Sequence, residues 1–201
     1  MYALRASNEP ELDERVILHG ISWQAFEDML AARGNASGVR MYYLDGEVEL
    51  LSPARDHELR KTTLARLLEM WAFETETELS GFGSWTLKKR PKKAGAEPDE
   101  CYTVGDEDKR VPDLVIEVEW SRTLGLPKQE IYARLGVREL WTLTAEGRLV
   151  VRVLHGEKYV ENRKSKVLPK LDVQWLFSFA TTGSQSKAVR ALHTAMRKKR
   201  R

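Results

Sequence analysis

Three carboxylates, those of Asp113, Glu117 and Glu119, fall on one face of a segment predicted to be a β-strand. They alternate with apolar residues, which is the period of two expected of a strand. The segment is also rich in β-branched residues, which favour burial. Clustered carboxylates are costly to bury unless positive charge lies among them, so a divalent cation or a lysine such as Lys128 would be needed there. A strand with one solvated face is the alternative interpretation.

Other residues with ligating or reactive side chains lie upstream. Asp99 follows Pro98 at the start of a predicted short strand, and Glu47 directly follows an Asp-Gly hairpin turn. His57 falls in the first turn of a predicted long helix, where a structural role is the more common one. Cys101 has no evident partner oriented to activate it, which disfavours thiol chemistry.

The composition is that of a single globular domain. A chain of 201 residues with 42% hydrophobic and 31% charged residues is large enough for a core and polar enough outside it. No apolar run approaches the ~18 residues of a membrane span, and the chain does not open with the apolar stretch of a signal peptide. The single cysteine excludes an intrachain disulfide and suits a reducing compartment, so we expect a cytoplasmic protein.

Positive charge is concentrated in two places, although the net charge is only +3. The last 17 residues hold seven Lys/Arg and no acid, and the run 88–93 forms a basic loop. Such runs bind nucleic-acid phosphates without sequence preference, or simply keep a surface solvated. The basic residues of interest are Lys88, Lys89, Arg90, Lys92, Lys93, Arg197, Lys198 and Lys199.

Hydrophobic periodicity and turn signals predict hairpins that alternate with helices, as in an α/β or α+β domain. Ser22 is an expected helix N-cap, Gly34 and Gly136 are expected helix ends, and Asp45-Gly46 is an expected hairpin turn. The predicted helices are 23–33, 56–78, 126–135 and 173–179. The predicted strands are 39–44, 47–51, 84–88, 99–104, 111–120, 139–144, 149–154 and 158–161. Residues 1 to about 14 are polar and acidic and are expected to be loosely held.

With these motifs in place, the chain resembles the Uma-type branch, a bacterial one, of the PD-(D/E)XK nuclease superfamily. The resemblance covers about residues 20–180 and rests on the order and spacing of several pieces of sequence. They are Leu-Asp-Gly-Glu-Val-Glu-Leu-Leu-Ser-Pro at 44–53 with His57 after it, Ala-Glu-Pro-Asp-Glu-Cys-Tyr at 96–102, Val-Pro-Asp-Leu-Val-Ile-Glu-Val at 111–118, Pro-Lys-Gln-Glu-Ile-Tyr-Ala-Arg-Leu-Gly-Val-Arg-Glu-Leu-Trp at 127–141, and Leu-Pro-Lys-Leu at 168–171.

The resemblance implies a restriction-endonuclease-like α/β (α+β) fold, in which a central mixed sheet is flanked by helices and accompanied by an N-terminal hairpin. It divides the chain into a flexible N-terminal segment, 1–20, a restriction-endonuclease-like domain, 21–180, and a basic C-terminal tail, 181–201.

The resemblance also implies a metal site. Asp99 and Glu117 would hold Mg²⁺ or Mn²⁺ together with the backbone carbonyl of Val118. Glu47 would complete the shell directly or through water. Hard oxygen ligands of this kind select these two ions and leave positions for water and phosphate.

The lysine of this superfamily usually lies two residues beyond the strand acid, where this chain has Glu119. Lys128, on the following predicted helix, is the natural replacement. His57 and Glu119 are accessory candidates. Asp113 precedes Glu117 by four strand positions, about 13 Å, and is expected to be structural.

The implied function is that of a metal-dependent endonuclease that hydrolyses phosphodiester bonds of nucleic acid, with DNA as the expected substrate. A homodimer would suit such an enzyme, because cutting a duplex needs two sites. The alternative is a catalytically degenerate nuclease-like fold that binds nucleic acid or a protein partner, with Glu119 as the sign of decay.

Overall fold

The computed structural model describes residues 11–36, 38–121 and 123–199, which form eleven strands and five α-helices. The strands are β1 (Glu14–Leu18), β2 (Arg40–Leu44), β3 (Glu47–Ser52), β4 (Leu79–Gly81), β5 (Leu87–Lys89), β6 (Ala94–Ala96), β7 (Glu100–Val104), β8 (Leu114–Val118), β9 (Glu139–Leu143), β10 (Leu149–His155) and β11 (Lys158–Asn162). The helices are α1 (Trp23–Arg33), α2 (Arg55–Thr75), α3 (Lys128–Leu135), α4 (Val173–Ser178) and α5 (Gln185–Lys199). Single 3₁₀ turns occupy Arg90–Lys92 and Phe179–Thr181.

The strands form two sheets. The five-stranded sheet is antiparallel, with the order β1-β3-β2-β6-β5. The six-stranded sheet has the order β11-β10-β9-β8-β7-β4 and is mixed, because β8 and β9 pair in parallel. Parallel neighbours need a crossover connection, and α3 is that connection. Since α3 begins beyond the carboxyl end of β8, its first residue, Lys128, starts close to the acid at position 117.

The six-stranded sheet is covered on both faces. One face packs against α2, α4 and α5, with Ile116 and Trp141 at the centre of the contact. The other face packs against α3 and the five-stranded sheet, with Val115 and Leu140 at the centre. Every residue of β8 is therefore buried, which excludes the interpretation that one of its faces is solvated. Each large apolar side chain buried in this way contributes about 1.5–3 kcal/mol, which helps to offset the cost of carrying acids into the interior.

Two local signals are confirmed: the N-cap of α1 and the turn of the β2–β3 hairpin. The hydroxyl of Ser22 accepts a hydrogen bond from the N–H of Ala25 at 3.1 Å. Asp45 and Gly46 both have positive φ, 47° and 99°, as a two-residue hairpin turn requires. The predicted mixed α/β class is also confirmed, since a mixed sheet is flanked by helices.

A strand lies within the segment that the sequence predicted to be flexible. β1 pairs with β3 in antiparallel register, from Glu14 opposite Ser52 to Leu18 opposite Val48. Its sequence, Glu-Arg-Val-Ile-Leu, has charged residues where a strand signal would need apolar ones. The strand is stabilised by backbone pairing with a distant partner, which local sequence does not encode. Residues 1–10 of that segment lie outside the described residues.

The predicted basic tail is also corrected, because most of it is a packed helix. α5 lies against α2, and its residues Ala188, Leu192 and Met196 are buried in the core. These apolar residues are four positions apart, as on one face of a helix. The many basic residues between them made that pattern hard to recognise in the sequence. Arg200 and Arg201 lie outside the described part of the chain.

The remaining differences concern short strands. β4 and β6 were not predicted, and the strand predicted at 84–88 is only Leu87–Lys89. Strands of three residues depend on their neighbours rather than on a periodic pattern. In the described ranges, no helix combines the length and apolarity needed to cross a bilayer.

Candidate active site

Asp99 and Glu117 are brought together by the pairing of β7 with β8. The paired register ends with Glu100 opposite Ile116, so Asp99 and Glu117 are the next residues at that end of the two strands. The N–H of Val118, the neighbour of Glu117, donates to the carboxylate of Asp99. Asp99 is fully buried and Glu117 is 3% exposed. The two acids therefore share one buried space.

Asp99 is surrounded by groups that stabilise its negative charge. Its Oδ2 accepts a hydrogen bond from the N–H of Val118 at 2.7 Å. Its Oδ1 lies 3.1 Å from Nε of Arg40 and 3.0 Å from Nε2 of His57. Burial alone would raise the pKa of Asp99, but His57 and Arg40 hold it at about 2. Both cations therefore lie within ion-pair distance of the same carboxylate oxygen.

Glu117 is held in a different environment. The hydroxyl of Tyr132 donates to its Oε1, and the hydroxyl of Tyr42 lies 3.3 Å from its Oε2. Burial raises the pKa of Glu117 to about 7; the ammonium of Lys128 opposes that shift and the charge of Asp99 adds to it. Two neighbouring carboxylates thus differ widely in pKa, with Asp99 ionised and Glu117 close to its titration point at neutral pH.

Lys128 is the cation beside Glu117. Its side chain is 14% exposed, and its Nζ lies 3.6 Å from Oε2 of Glu117 and 3.8 Å from Oε1 of Glu49. The ammonium also lies over the ring of Tyr42. Burial lowers the pKa of Lys128, and the carboxylates of Glu117 and Glu49 counteract that effect. The crossover helix therefore places this lysine beside the acid of β8.

Asp99, Glu117 and Lys128 form a buried cluster, to which the β2–β3 hairpin contributes one more acid. That acid is Glu49, whereas the resemblance implied Glu47. The side chain of Glu47 is 46% exposed, and its Oε1 lies 2.8 Å from Nδ1 of His19. Glu49 is fully buried, with Oε1 2.9 Å from Nε of Arg15 and Oε2 accepting from the N–H of Leu126 at 2.6 Å. Both acids lie on the same face of β3, but Glu47 lies at the open end beside the turn and Glu49 lies in mid-strand.

The loop between β8 and α3 closes over Glu49. Arg15 of β1 donates both to Glu49 and to the carbonyl oxygen of Thr123. A Cβ atom at Gly125 would overlap the Glu49 carboxylate, so the loop needs glycine at this close approach. The predicted flexible segment thus supplies part of the site through Arg15.

His57 belongs to a buried chain of charges. Its Nδ1 lies 2.9 Å from Oδ2 of Asp13, and its Nε2 faces Asp99. Burial alone would lower the pKa of His57, but the carboxylates of Asp13 and Asp99 raise it to about 9. Sequence reasoning missed Asp13, Arg15, Arg40 and Glu49. Only the spacing of Glu49 two residues beyond Glu47, on the same strand face, could have indicated one of them.

Three further candidates from the sequence, Asp113, Glu119 and Cys101, lie outside the cluster. The carboxylate of Asp113 is held by Lys109 at 2.7 Å and by Arg138 at 3.0 Å, which is a structural role. Glu119 is exposed beyond the end of β8. Burial raises the pKa of the Cys101 thiol to about 12, so the thiol stays protonated and unreactive.

The donor set suits a divalent cation held by two carboxylates. Within the described residues, no group of three or more His, Cys, Asp or Glu side chains is arranged to hold a metal ion. Mg²⁺ often uses only one or two carboxylates and takes its other ligands from water and phosphate. Burial and the charge of Asp99 raise the pKa of Glu117, and added positive charge at the site would lower that pKa again. Asp99 and Glu117 are therefore the residues that would hold the ion.

The basic residues singled out in the sequence lie on two separate surfaces. Lys89, Lys92 and Lys93 line a groove beside α3. Lys88 lies next to them and pairs with Glu27 at 3.0 Å. Arg90 lies in the same loop, on the same surface. Arg197, Lys198 and Lys199 form the second surface, at the end of α5. Because α3 and α5 cover opposite faces of the six-stranded sheet, the two surfaces lie in different layers of the molecule.

The fold and the cluster define a mixed α/β protein with a buried acid–lysine site. The chain belongs to the family described as "Putative restriction endonuclease" (Uma2), which matches residues 23–177. The match includes Asp99, Glu117 and Lys128, and leaves out β1 and α5.

Among the solved structures similar to this chain is the crystal structure of a protein described as "a putative nuclease belonging to DUF820" from Anabaena variabilis ATCC 29413. The two chains share 14% sequence identity with a TM-score of 0.46, and the similarity covers 70% of this chain and 90% of that chain. No curated protein matches the sequence.

Proposed function

We propose that this protein is a metal-dependent nuclease that hydrolyses phosphodiester bonds of nucleic acid, with DNA as the substrate. The observation that carries the proposal is the grouping of Asp99, Glu117 and Lys128 in one buried space. Membership of the family described as "Putative restriction endonuclease" supports the same reaction class.

In this proposal Asp99 and Glu117 hold Mg²⁺ or Mn²⁺, with the carbonyl of Val118 as a further ligand. The ion, when bound, polarises the phosphate and lowers the pKa of a water molecule. Glu49 takes the place that the resemblance gave to Glu47, and acts through its contact with Lys128.

The side chains around the two acids have distinct parts in the proposal. The ammonium of Lys128 offsets negative charge that develops on the phosphate, and electrostatic stabilisation of this kind is usually the largest single contribution to catalysis. Tyr132 and Tyr42 fix the orientation of Glu117 through their hydroxyls. Arg40 and His57 keep Asp99 ionised.

The substrate contacts are proposed for the basic residues of the two surfaces: Lys88, Lys89, Arg90, Lys92, Lys93, Arg197, Lys198 and Lys199. Phosphate contacts of this kind position a nucleic acid without reading its sequence. We also propose that the protein forms a homodimer and is located in the cytoplasm.

The test is a cleavage assay with plasmid DNA, single-stranded DNA and RNA, each with Mg²⁺, Mn²⁺ or EDTA. Lys128→Ala should lower turnover by about 100-fold or more and leave metal affinity nearly unchanged, because lysine is not a metal ligand. Asp99→Asn and Glu117→Gln should lose metal binding and cleavage together. Glu161→Gln, an exposed acid on β11, is the matched control.

Two outcomes would count against the proposal. Full activity of Lys128→Ala would remove this residue from the mechanism. Absence of cleavage of all three substrates by the wild-type protein, with either metal, would exclude the nuclease assignment.

A degenerate binding module is the second candidate function, and two observations favour it. Glu119 occupies the usual lysine position, and Asp99 is already neutralised by Arg40 and His57. Calorimetric titration with Mg²⁺ distinguishes the candidates, since a degenerate site would not bind the ion. Cleavage by Glu119→Lys in an otherwise inactive protein would also identify the natural chain as degenerate.

A further inference from the structure

A groove runs along the solvent side of α3, away from the buried acids. It encloses about 890 Å³ between the loop that follows β5 and the turn that joins β10 to β11. Gln129, Glu130, Ala133 and Arg134 form its floor. Lys93 lies on one rim and Lys158 on the other.

The groove carries uncompensated positive charge. Five basic and three acidic side chains line it, a net charge of +2. The three acids are already paired: Glu157 with Lys92 at 3.4 Å, and Asp45 and Glu130 both with Arg134. The side chains of Lys89, Lys93 and Lys158 are exposed and have no hydrogen bond or ion pair within the described part of the chain.

The rim that carries Lys93 is held in place by backbone contacts. Lys93 has φ of 45°, a left-handed conformation that is costly for a residue other than glycine. Its carbonyl accepts a hydrogen bond from the N–H of Asp45 at 3.1 Å, and Arg134 donates to the carbonyl of Lys92 at 3.1 Å. The strained residue therefore projects from a loop that is tied to both the hairpin and α3.

The groove and the acid cluster share one helix. Lys128, at the start of α3, faces Glu117, and Arg134 lies six residues further along on the groove floor. At a rise of about 1.5 Å and a rotation of about 100° per residue, the two positions are about 9 Å apart along the axis and point to different sides of the helix.

We propose that this groove binds the phosphate backbone of nucleic acid through Lys89, Lys93 and Lys158. The groove would give the substrate of the nuclease a defined path along α3. Lys158 is a new contact residue, because it lies outside the basic runs of the sequence. The relevance of the groove rests on the proposed function, but binding can be measured without cleavage.

A small-molecule occupant, and a path that continues onto α5, both fit the observations less well. Small-molecule pockets are mostly apolar with a few polar groups, whereas eight charged side chains line this groove. The basic end of α5 belongs to the opposite layer of the molecule, so it cannot form the second wall of this path.

The test is a titration of a fluorescent DNA duplex with the full chain in EDTA, from about 50 to 200 mM salt. The groove variant combines Lys89→Gln, Lys93→Gln and Lys158→Gln, which removes charge and keeps the side-chain length. The control combines Lys164→Gln, Lys166→Gln and Lys170→Gln, three exposed lysines in the loop between β11 and α4. The two variants lose the same charge.

We expect the groove variant to bind more weakly than the wild-type protein. Its slope of log affinity against log salt should flatten by about 0.9 for each phosphate that is no longer neutralised, roughly two to three units in all. The control should keep the wild-type slope. An unchanged slope in the groove variant, or an equal change in the control, would overturn the proposal. A protein that binds through the groove but cleaves nothing would contradict the nuclease function alone.

Discussion

A buried carboxylate loses several kcal/mol of hydration, and the two acids of the site compensate for that loss differently. Asp99 stays ionised because Arg40 and His57 lie within about 3 Å of the same oxygen. Glu117 has only Lys128 as a neighbouring cation within ion-pair distance in the described residues, and that cation is shared with Glu49. At the scale of the residue, the site therefore contains one permanent anion and one acid that titrates near neutral pH.

The raised pKa of Glu117 makes the stability of the metal-free protein depend on pH. The folded value is about 7 and the ordinary value is 4.5, so the contribution of this group is complete below pH 4.5 and is lost as the pH rises through 7. Glu117→Gln should remove that loss, which is about 3 kcal/mol. Urea unfolding in EDTA at several pH values measures the effect, with Glu161→Gln as the control. A wild-type curve parallel to that of Glu117→Gln would show that Glu117 titrates normally.

Glu49 and Glu47 should differ sharply in their importance for stability. Glu49→Gln leaves Arg15 and Lys128 short of a buried partner, and removing one member of a buried ion pair costs about 3–5 kcal/mol. Glu47→Gln removes only an exposed contact with His19, worth about 0–1 kcal/mol. The free energy of unfolding of each variant tests the comparison. Equal values would mean that Glu49 is not a member of the cluster.

At the scale of the element, β1 and α5 support the domain from outside the segment that matches the family. β1 extends the five-stranded sheet and carries Arg15 to Glu49. α5 packs on α2, the helix that positions His57. Deleting α5 would therefore disturb the core, so deletion is a poor test of whether its basic residues bind nucleic acid. Substitution of exposed basic residues is the cleaner experiment.

Leu192 should be the residue that anchors α5. It is fully buried on a helix whose exposed surface is basic, and replacing a buried leucine by alanine costs about 2–5 kcal/mol. Leu192→Ala should lower the free energy of unfolding by that amount, while Lys187→Ala, on the exposed face, should change it by less than about 0.5 kcal/mol. Equal, small effects would indicate a helix that packs only loosely on α2.

At the scale of the whole molecule, the site lies where the two sheets meet. The five-stranded sheet contributes Arg40 and Glu49, and the six-stranded sheet contributes Glu117. His57 comes from α2 and Lys128 from α3. Since these residues come from elements far apart in sequence, the cluster exists only when both layers are assembled, and a ligand of the cluster should stabilise the entire fold.

Magnesium should therefore raise the melting temperature. A ligand at 100 times its dissociation constant adds about 2.7 kcal/mol, which corresponds to roughly 5–10 °C for a domain of this size. The shift should disappear with EDTA and in Asp99→Asn, as measured by calorimetry. A similar shift in Asp99→Asn would place the bound metal elsewhere.

The sequence by itself determined the elements that have strong local signals. The alternation in β8, the Asp45-Gly46 turn and the Ser22 cap are confirmed, because each depends on neighbours within a few residues. It also indicated Asp99, Glu117 and Lys128 as candidates, and the structure places the two acids in one buried space with the lysine beside Glu117. Their catalytic roles stay predictions.

Only the tertiary structure decided which hairpin acid reaches the cluster and what surrounds Asp99. Glu47 and Glu49 lie on the same strand face, so their pattern is identical; pairing with β1 and closure of the 123–126 loop bury Glu49 alone. The ion pairs that link Asp13, Arg40 and His57 into the cluster around Asp99 span 42 to 59 positions of sequence, and no periodic pattern encodes such contacts. The reason is physical. A buried charge is tolerated only where side chains of opposite charge lie beside it, and elements distant in sequence place them there only in the assembled fold.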